Sequence, residues 1–185
     1  MTGLFGGAFD PPHNGHVALV QTAREHFGLE RLFVFVVVAP GHRTVMLDFA
    51  SRFELASLAF EDVPDAEVVA EEHGFTVDAV RGGRYGDAVF LIGADEFAGF
   101  LDWKEPNEVL EHVRLGVATR PGYDREQLEA VVARLERPDR VELFDIPAVP
   151  VSGSEIRARL ARGESVRGLV PQVVADVIEA RGLYR

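Results

Sequence analysis

Apolar runs alternate with amphipathic stretches along almost the whole chain. Leu32 to Val38 reads as an unbroken β-branched and aromatic run, the pattern of a strand buried on both faces of a parallel sheet. Leu4-Phe5, Glu67 to Ala70, Ala88 to Ile92, Leu115 to Thr119 and Val141 to Phe144 predict further strands. Between them, Gly15 to Phe27 sets Val17, Val20, Ala23, Arg24 and Phe27 at helical spacing. Asp48 to Phe60 does the same with Phe49, Phe53, Ala56 and Phe60. Thr76 to Val80 starts a helical stretch that Gly82 and Gly83 stop. Glu108 to His112 and Arg125 to Leu135 predict two more helices, and residues 154–162 and 171–181 a last pair, parted by Gly163 and Pro171.

This alternation predicts a doubly wound α/β fold with a parallel sheet. The expected organisation is a single domain over residues 1–185, with 150–185 as a small C-terminal helical region. In such sheets ligands sit beyond the carboxyl ends of the strands. Residues 6–16, 39–43, 93–95 and Arg120 follow predicted strands, and the unusual residues of the chain fall there.

Composition narrows the picture. Hydrophobic residues make up 47% of the 185, enough for a core, and charged residues 26%. The net charge of -11 argues against a nucleic-acid binder, which needs a positive surface to displace counterions. Cysteine is absent, which removes disulfides, thiolate metal sites and thiol nucleophiles and fits a reducing cytoplasm. The longest apolar run, Leu32 to Pro40, is too short to span a bilayer, so no membrane partner is expected. Nor is a secretion signal, since the first strand begins almost at Met1. A homo-oligomer is compatible with the sequence, which does not fix the assembly. The only lysine, Lys104, is followed by Glu105, so the lysine of a P-loop has no counterpart here.

The candidate chemistry begins with Gly6-Gly7-Ala8-Phe9-Asp10-Pro11-Pro12-His13-Asn14-Gly15-His16. Glycines after a first strand let a phosphate approach the backbone. His16 opens a helix, where free amides and the dipole favour an anion, and His13 stands just outside it. The spacing is not Gly-x-Gly-x-x-Gly, so a dinucleotide fingerprint is absent. No third ligand near the two histidines makes a zinc site. Taken alone, two histidines in a Pro- and Gly-rich turn are more often surface residues. At the far end of the chain, Val151-Ser152-Gly153-Ser154-Glu155-Ile156-Arg157 opens another helix. Hydroxyls, amides and a guanidinium there can meet one anion, although a serine N-cap with a solvated arginine is the plainer reading.

The whole first string resembles the nucleotidyltransferase superfamily marked by His-x-Gly-His. The second resembles that superfamily's Ile-Ser-Ser-Thr-x-Ile-Arg motif, with Gly153 and Ser154 in place of Ser and Thr. The resemblance implies a Rossmann-like fold. It also implies that Gly6, Gly7, Ala8, Phe9, His13, Gly15 and His16, with Ser152, Ser154 and Arg157, hold ATP, and that His13, His16 and Arg157 are catalytic.

Three further segments are similar to the bacterial nicotinate mononucleotide adenylyltransferase family. They are Leu91-Ile92-Gly93-Ala94-Asp95 with Trp103 beyond, Thr119-Arg120-Pro121-Gly122-Tyr123, and the tail from Arg157 through Gly163-Glu164-Ser165 and Val170-Pro171 to Gly182-Leu183-Tyr184-Arg185. This resemblance implies adenylyl transfer from ATP to nicotinate mononucleotide, giving deamido-NAD and pyrophosphate in NAD biosynthesis, with Mg²⁺ carried mainly by the ATP phosphates. Gly93, Asp95 and Arg120 join the expected ATP contacts, and His42, Arg43, Thr76 and Trp103 the acceptor contacts. Trp103 offers an aromatic face to a pyridine, or else anchors its loop to the core. Asp95 either binds a ribose hydroxyl or caps the next helix. Two departures stand out. The segment Pro40-Gly41-His42-Arg43 runs quickly into Leu47 and Arg52, a shortened loop, and Phe75-Thr76 replaces the usual Tyr-Thr. Arg52 reads as a surface residue paired with a neighbouring acid. The rival expectations are another acceptor (nicotinamide mononucleotide or phosphopantetheine), a cytidylyltransferase, a non-catalytic nucleotide-binding regulator, or a Rossmann oxidoreductase, which the missing glycine fingerprint disfavours.

Overall fold

The computed structural model describes residues 1–41, 44–120 and 123–184. Six strands form one sheet: β1 (Thr2–Gly7), β2 (Arg31–Val37), β3 (Ala66–Glu71), β4 (Ala88–Gly93), β5 (Arg114–Thr119) and β6 (Val141–Asp145). Every neighbouring pair is parallel, in the order β3-β2-β1-β4-β5-β6. This is the order of a dinucleotide-binding fold, and the direction of winding reverses between β1 and β4. The expected doubly wound, Rossmann-like α/β architecture is the one observed.

The helices are α1 (Asn14–Phe27), α2 (Phe49–Phe60), α3 (Thr76–Val80), α4 (Ala94–Phe97), α5 (Pro106–His112), α6 (Arg125–Val132), α7 (Gly153–Ala161) and α8 (Gln172–Arg181). Two 3₁₀ turns, Phe100–Asp102 and Pro138–Arg140, join them. Side chains alternate across each central strand and build two cores. Phe5, Val34, Val36, Val89 and Leu91 pack on the face covered by α1, α2, α7 and α8. Leu4, Phe35, Phe90, Ile92, Leu115 and Val117 pack on the face covered by α3, α4, α5 and α6. The unbroken apolar runs of β2 and β4 follow from this double burial.

Most expected elements agree with the structure to within a residue or two. Helix α6 ends at Val132 instead of Leu135, and α4 with its following 3₁₀ turn was not expected. The buried stripe of α2 is Arg52, Leu55, Ala56, Ala59 and Phe60, with Phe49 and Phe53 at its edge.

That stripe corrects the expectation for Arg52, which is no surface residue. It is 1% exposed. Its guanidinium donates to the carbonyls of Ala8 (2.8 Å), Val37 (2.9 Å), Val38 (3.0 Å) and Leu47 (3.3 Å). A buried cation is tolerable only when so provided with acceptors. Burial still costs it: the guanidinium pKa is lowered by desolvation, against the pull of Asp10.

Candidate active site

A cleft of about 940 Å³ opens over the carboxyl ends of the strands, at the point where the winding reverses. That is large for a ligand site and suits a nucleotide with a second group attached. Its floor is the end of β1 and the loop into α1. Gly6 and Gly7 end the strand, and Ala8 and Phe9 turn the chain. Phe9 adopts a left-handed backbone, φ 49°, at a cost of about 1–3 kcal/mol for a bulky residue. Its ring offsets this by burial, edge-on against Phe5 and Phe60 at 5.6 and 5.5 Å.

The two histidines then meet at the start of α1. Their rings stack, with centroids 3.6 Å apart and planes 14° apart. His13 is the N-cap residue and His16 lies in the first turn. The His13 backbone N–H donates to His16 Nδ1 at 3.2 Å. That bond makes His16 Nδ1 an acceptor, which puts the ring proton on Nε2. His13 is nearly buried, and its Nδ1 has no hydrogen-bond partner among the described residues. Desolvation lowers its pKa from 6.5 to about 4, with a smaller push from the cation of Arg120. At neutral pH His13 is therefore uncharged. Gly15 is what allows the stack: a Cβ there would stand 3.1 Å from His13 Nδ1 and 3.3 Å from Val151 Cγ1.

Helix α7 faces this loop across the cleft. Ser152 caps it, accepting from the Glu155 N–H at 3.2 Å, and its hydroxyl lies 3.1 Å from that of Ser154. Arg157, one turn in, donates to the Asp10 carbonyl at 2.7 Å, so the second motif grips the first. Gly153 leaves room for that grip, since a Cβ would lie 3.2 Å from the guanidinium. Two helix N-termini, two imidazoles and a guanidinium thus converge on one volume, an arrangement suited to phosphate oxygens.

Gly93 and Asp95 line the cleft after β4, and Arg120 after β5. Gly93, not Asp95, is the N-cap of α4. Asp95 instead accepts from Arg120 at 2.8 Å, with both side chains exposed. At the other end stand Thr76, the first residue of α3, and Trp103. Trp103 packs edgewise on Phe90 and tilted against Phe100, with centroids 6.4 and 5.2 Å away, and also borders the cleft. It both anchors its turn and presents surface to the cleft. Phe75 and Lys104 lie beside it. Phe75 is exposed, and the Lys104 ammonium sits 5.2 Å from its ring while donating to Asp78. His42 and Arg43 lie outside the described residues. All the other expected site residues line this one cleft.

Residues 4–159 match the cytidylyltransferase-like family. The chain belongs to that family. Over 99% of its length it is 36% identical to a probable nicotinate-nucleotide adenylyltransferase of Rubrobacter xylanophilus, covering 91% of that protein. It is also 36% identical, over 99% of its length and 98% of the relative, to a probable nicotinate-nucleotide adenylyltransferase of Thermus thermophilus. This places it among the nicotinate-nucleotide adenylyltransferases of the family. A solved Plasmodium falciparum nicotinic acid mononucleotide adenylyltransferase complexed with NaAD shares the fold, with a TM-score of 0.80 at 15% identity, over 99% of this chain and 96% of that one.

Sequence patterns did not mark Asp10 and Tyr184, which lie close enough to Arg52 to act on its charge. The Tyr184 hydroxyl donates to Asp10 Oδ1 at 2.8 Å. The signal for Arg52 was available: position 52 lies three residues after Phe49 and four before Ala56, on the apolar face. Tyr184 and Asp10 lie 174 residues apart and carry no such pattern.

Proposed function

We propose that this protein joins ATP and nicotinate mononucleotide to give nicotinate adenine dinucleotide and pyrophosphate. The observation that carries the reading is the stacked His13–His16 pair at the head of α1, facing Arg157 across the cleft. An acceptor phosphate is already an anion at neutral pH and needs no general base. One of its oxygens attacks the α-phosphorus in line. A new P–O bond forms, the bond to the bridging oxygen breaks, and pyrophosphate leaves with that electron pair. Catalysis then consists of alignment and of donors placed where negative charge grows.

In this reading His16 Nε2–H and His13 donate to the phosphates. Ser152, Ser154 and Arg157 hold the departing pyrophosphate, and the backbone of residues 6–9 supports the nucleotide. Gly93, Asp95 and Arg120 border the remainder of ATP, while Trp103 stacks on the pyridine with Thr76 nearby. Mg²⁺ accompanies ATP. No group of three or more acidic or histidine side chains is placed to hold a metal among the described residues, so the ion is expected on phosphate and water, where it would offset phosphate charge.

The test is pyrophosphate release from Mg²⁺-ATP with nicotinate mononucleotide, nicotinamide mononucleotide and phosphopantetheine offered separately. The fastest release is expected with the first. Fastest release with another acceptor would overturn the acceptor assignment, and ATP binding without release would overturn the reaction.

A further inference from the structure

The loop that carries Asp10 and the loop before α2 are closed from behind by a side chain from the far end of the sequence. Tyr184 follows α8 and is 5% exposed. Its hydroxyl donates to Asp10 Oδ1 at 2.8 Å. The same carboxylate, also buried, accepts the Met46 N–H at 2.6 Å on Oδ2 and the Leu47 N–H at 3.3 Å on Oδ1. Three donors from two segments therefore fix the orientation of one residue. That residue's own carbonyl is the acceptor of Arg157, and His13 lies three positions further on. Beside it, Arg52 ties Ala8 to the end of β2 and to Leu47.

We infer that Tyr184 is a positioning residue for adenylyl transfer, acting through Asp10 to hold Arg157 and the histidine loop in register. Burial, and then the neighbouring Asp10 carboxylate, raise the phenol pKa far above its usual range, so the hydroxyl remains a donor at any working pH. Without it Oδ1 keeps, among the described residues, only the long bond from Leu47, and a buried carboxylate short of a donor seeks a new orientation. The Asp10 carbonyl turns with it. Arg157 then meets the cleft at a different angle, and alignment errors well below 1 Å already slow a reaction that depends on positioning.

The inference rests on the adenylyl-transfer reading, and its test separates the two. Tyr184→Phe keeps the ring in its apolar surroundings and removes one hydroxyl. Steady-state kinetics with Mg²⁺-ATP and nicotinate mononucleotide should show kcat reduced about tenfold, with both KM values within about twofold of the parent. Asp10→Asn should produce a loss of similar size, and the double variant should be no slower than the slower single one, because both act through one link. Arg181→Ala, which breaks the exposed Arg181–Glu54 pair that also docks α8 on α2, should leave kcat unchanged. An unchanged kcat in Tyr184→Phe, losses that multiply in the double variant, or an equal loss in Arg181→Ala would overturn the inference. If the parent protein released no pyrophosphate, the functional reading would fall and the inference with it.

Discussion

Gly15→Ala sets two effects of one methyl group against each other. Gly15 is the second residue of α1, and alanine there favours the helix by about 0.5–1 kcal/mol. The added Cβ would lie 3.1 and 3.2 Å from His13 Nδ1 and Cε1, and 3.3 Å from Val151 Cγ1. Ordinary contact begins a few tenths of an ångström further out, so either the imidazole or Val151 must give. The His13 ring also stacks on His16 with centroids 3.6 Å apart, so a shift of roughly 0.3–0.5 Å disturbs the stack itself. Overpacking of this kind costs about 1–3 kcal/mol, which the helix gain partly offsets. Net stability should therefore change by about 1–2 kcal/mol or less, while kcat for pyrophosphate release falls about tenfold. Urea denaturation and a coupled pyrophosphate assay on one preparation read both quantities. A kcat within twofold of the parent would show that the spacing of the two rings does not matter to the reaction.

Three further outcomes follow from the same geometry. His16→Ala should lower kcat by about 10²-fold or more, the size expected for one transition-state donor, and an intact turnover would remove His16 from the mechanism. Trp103→Ala should mainly raise KM for the acceptor, since the ring borders the cleft beside Lys104; an effect on kcat alone would count against stacking. The third concerns pH. His13 has a native pKa of about 4 against 6.5 for the free side chain, so the unfolded chain binds more protons between those values. Its contribution is fully present above about pH 6.5 and is lost as pH falls toward 4, by at most about 3 kcal/mol. Urea titrations across pH 4–7 should show a flatter profile for His13→Asn than for the parent; parallel profiles would show that His13 is not held neutral.

The fold was legible because burial on both faces leaves long apolar runs. Leu32 to Val38 is such a run, and strand β2 covers it almost residue for residue. Most of the cleft was legible as well, because Gly6 to His16 and Ser152 to Arg157 are contiguous strings whose residue types already imply an anion. Short helices were harder. Ala94–Phe97 is one turn, too brief to show a period, so the helix went unseen and the choice of Asp95 or Gly93 as its cap could not be made from the pattern. Arg52 was misread because an arginine is usually a surface residue; only its place on the stripe of α2 argued otherwise. The bond between Tyr184 and Asp10 lay beyond reach, since a contact across the chain that depends on one hydroxyl leaves no local pattern.

The solitary lysine gives the cleft a chemical address. Lys104 borders the cleft beside Trp103, with its side chain 41% exposed and its ammonium shared with Asp78. Apart from the α-amino group of Met1, it is the only primary amine in the sequence. An acylating reagent or an amine-directed fluorophore therefore has two targets, and of these only Lys104 lines the cleft. Covalent labelling that a ligand protects would read occupancy of the Trp103 end of the cleft directly, with no turnover required.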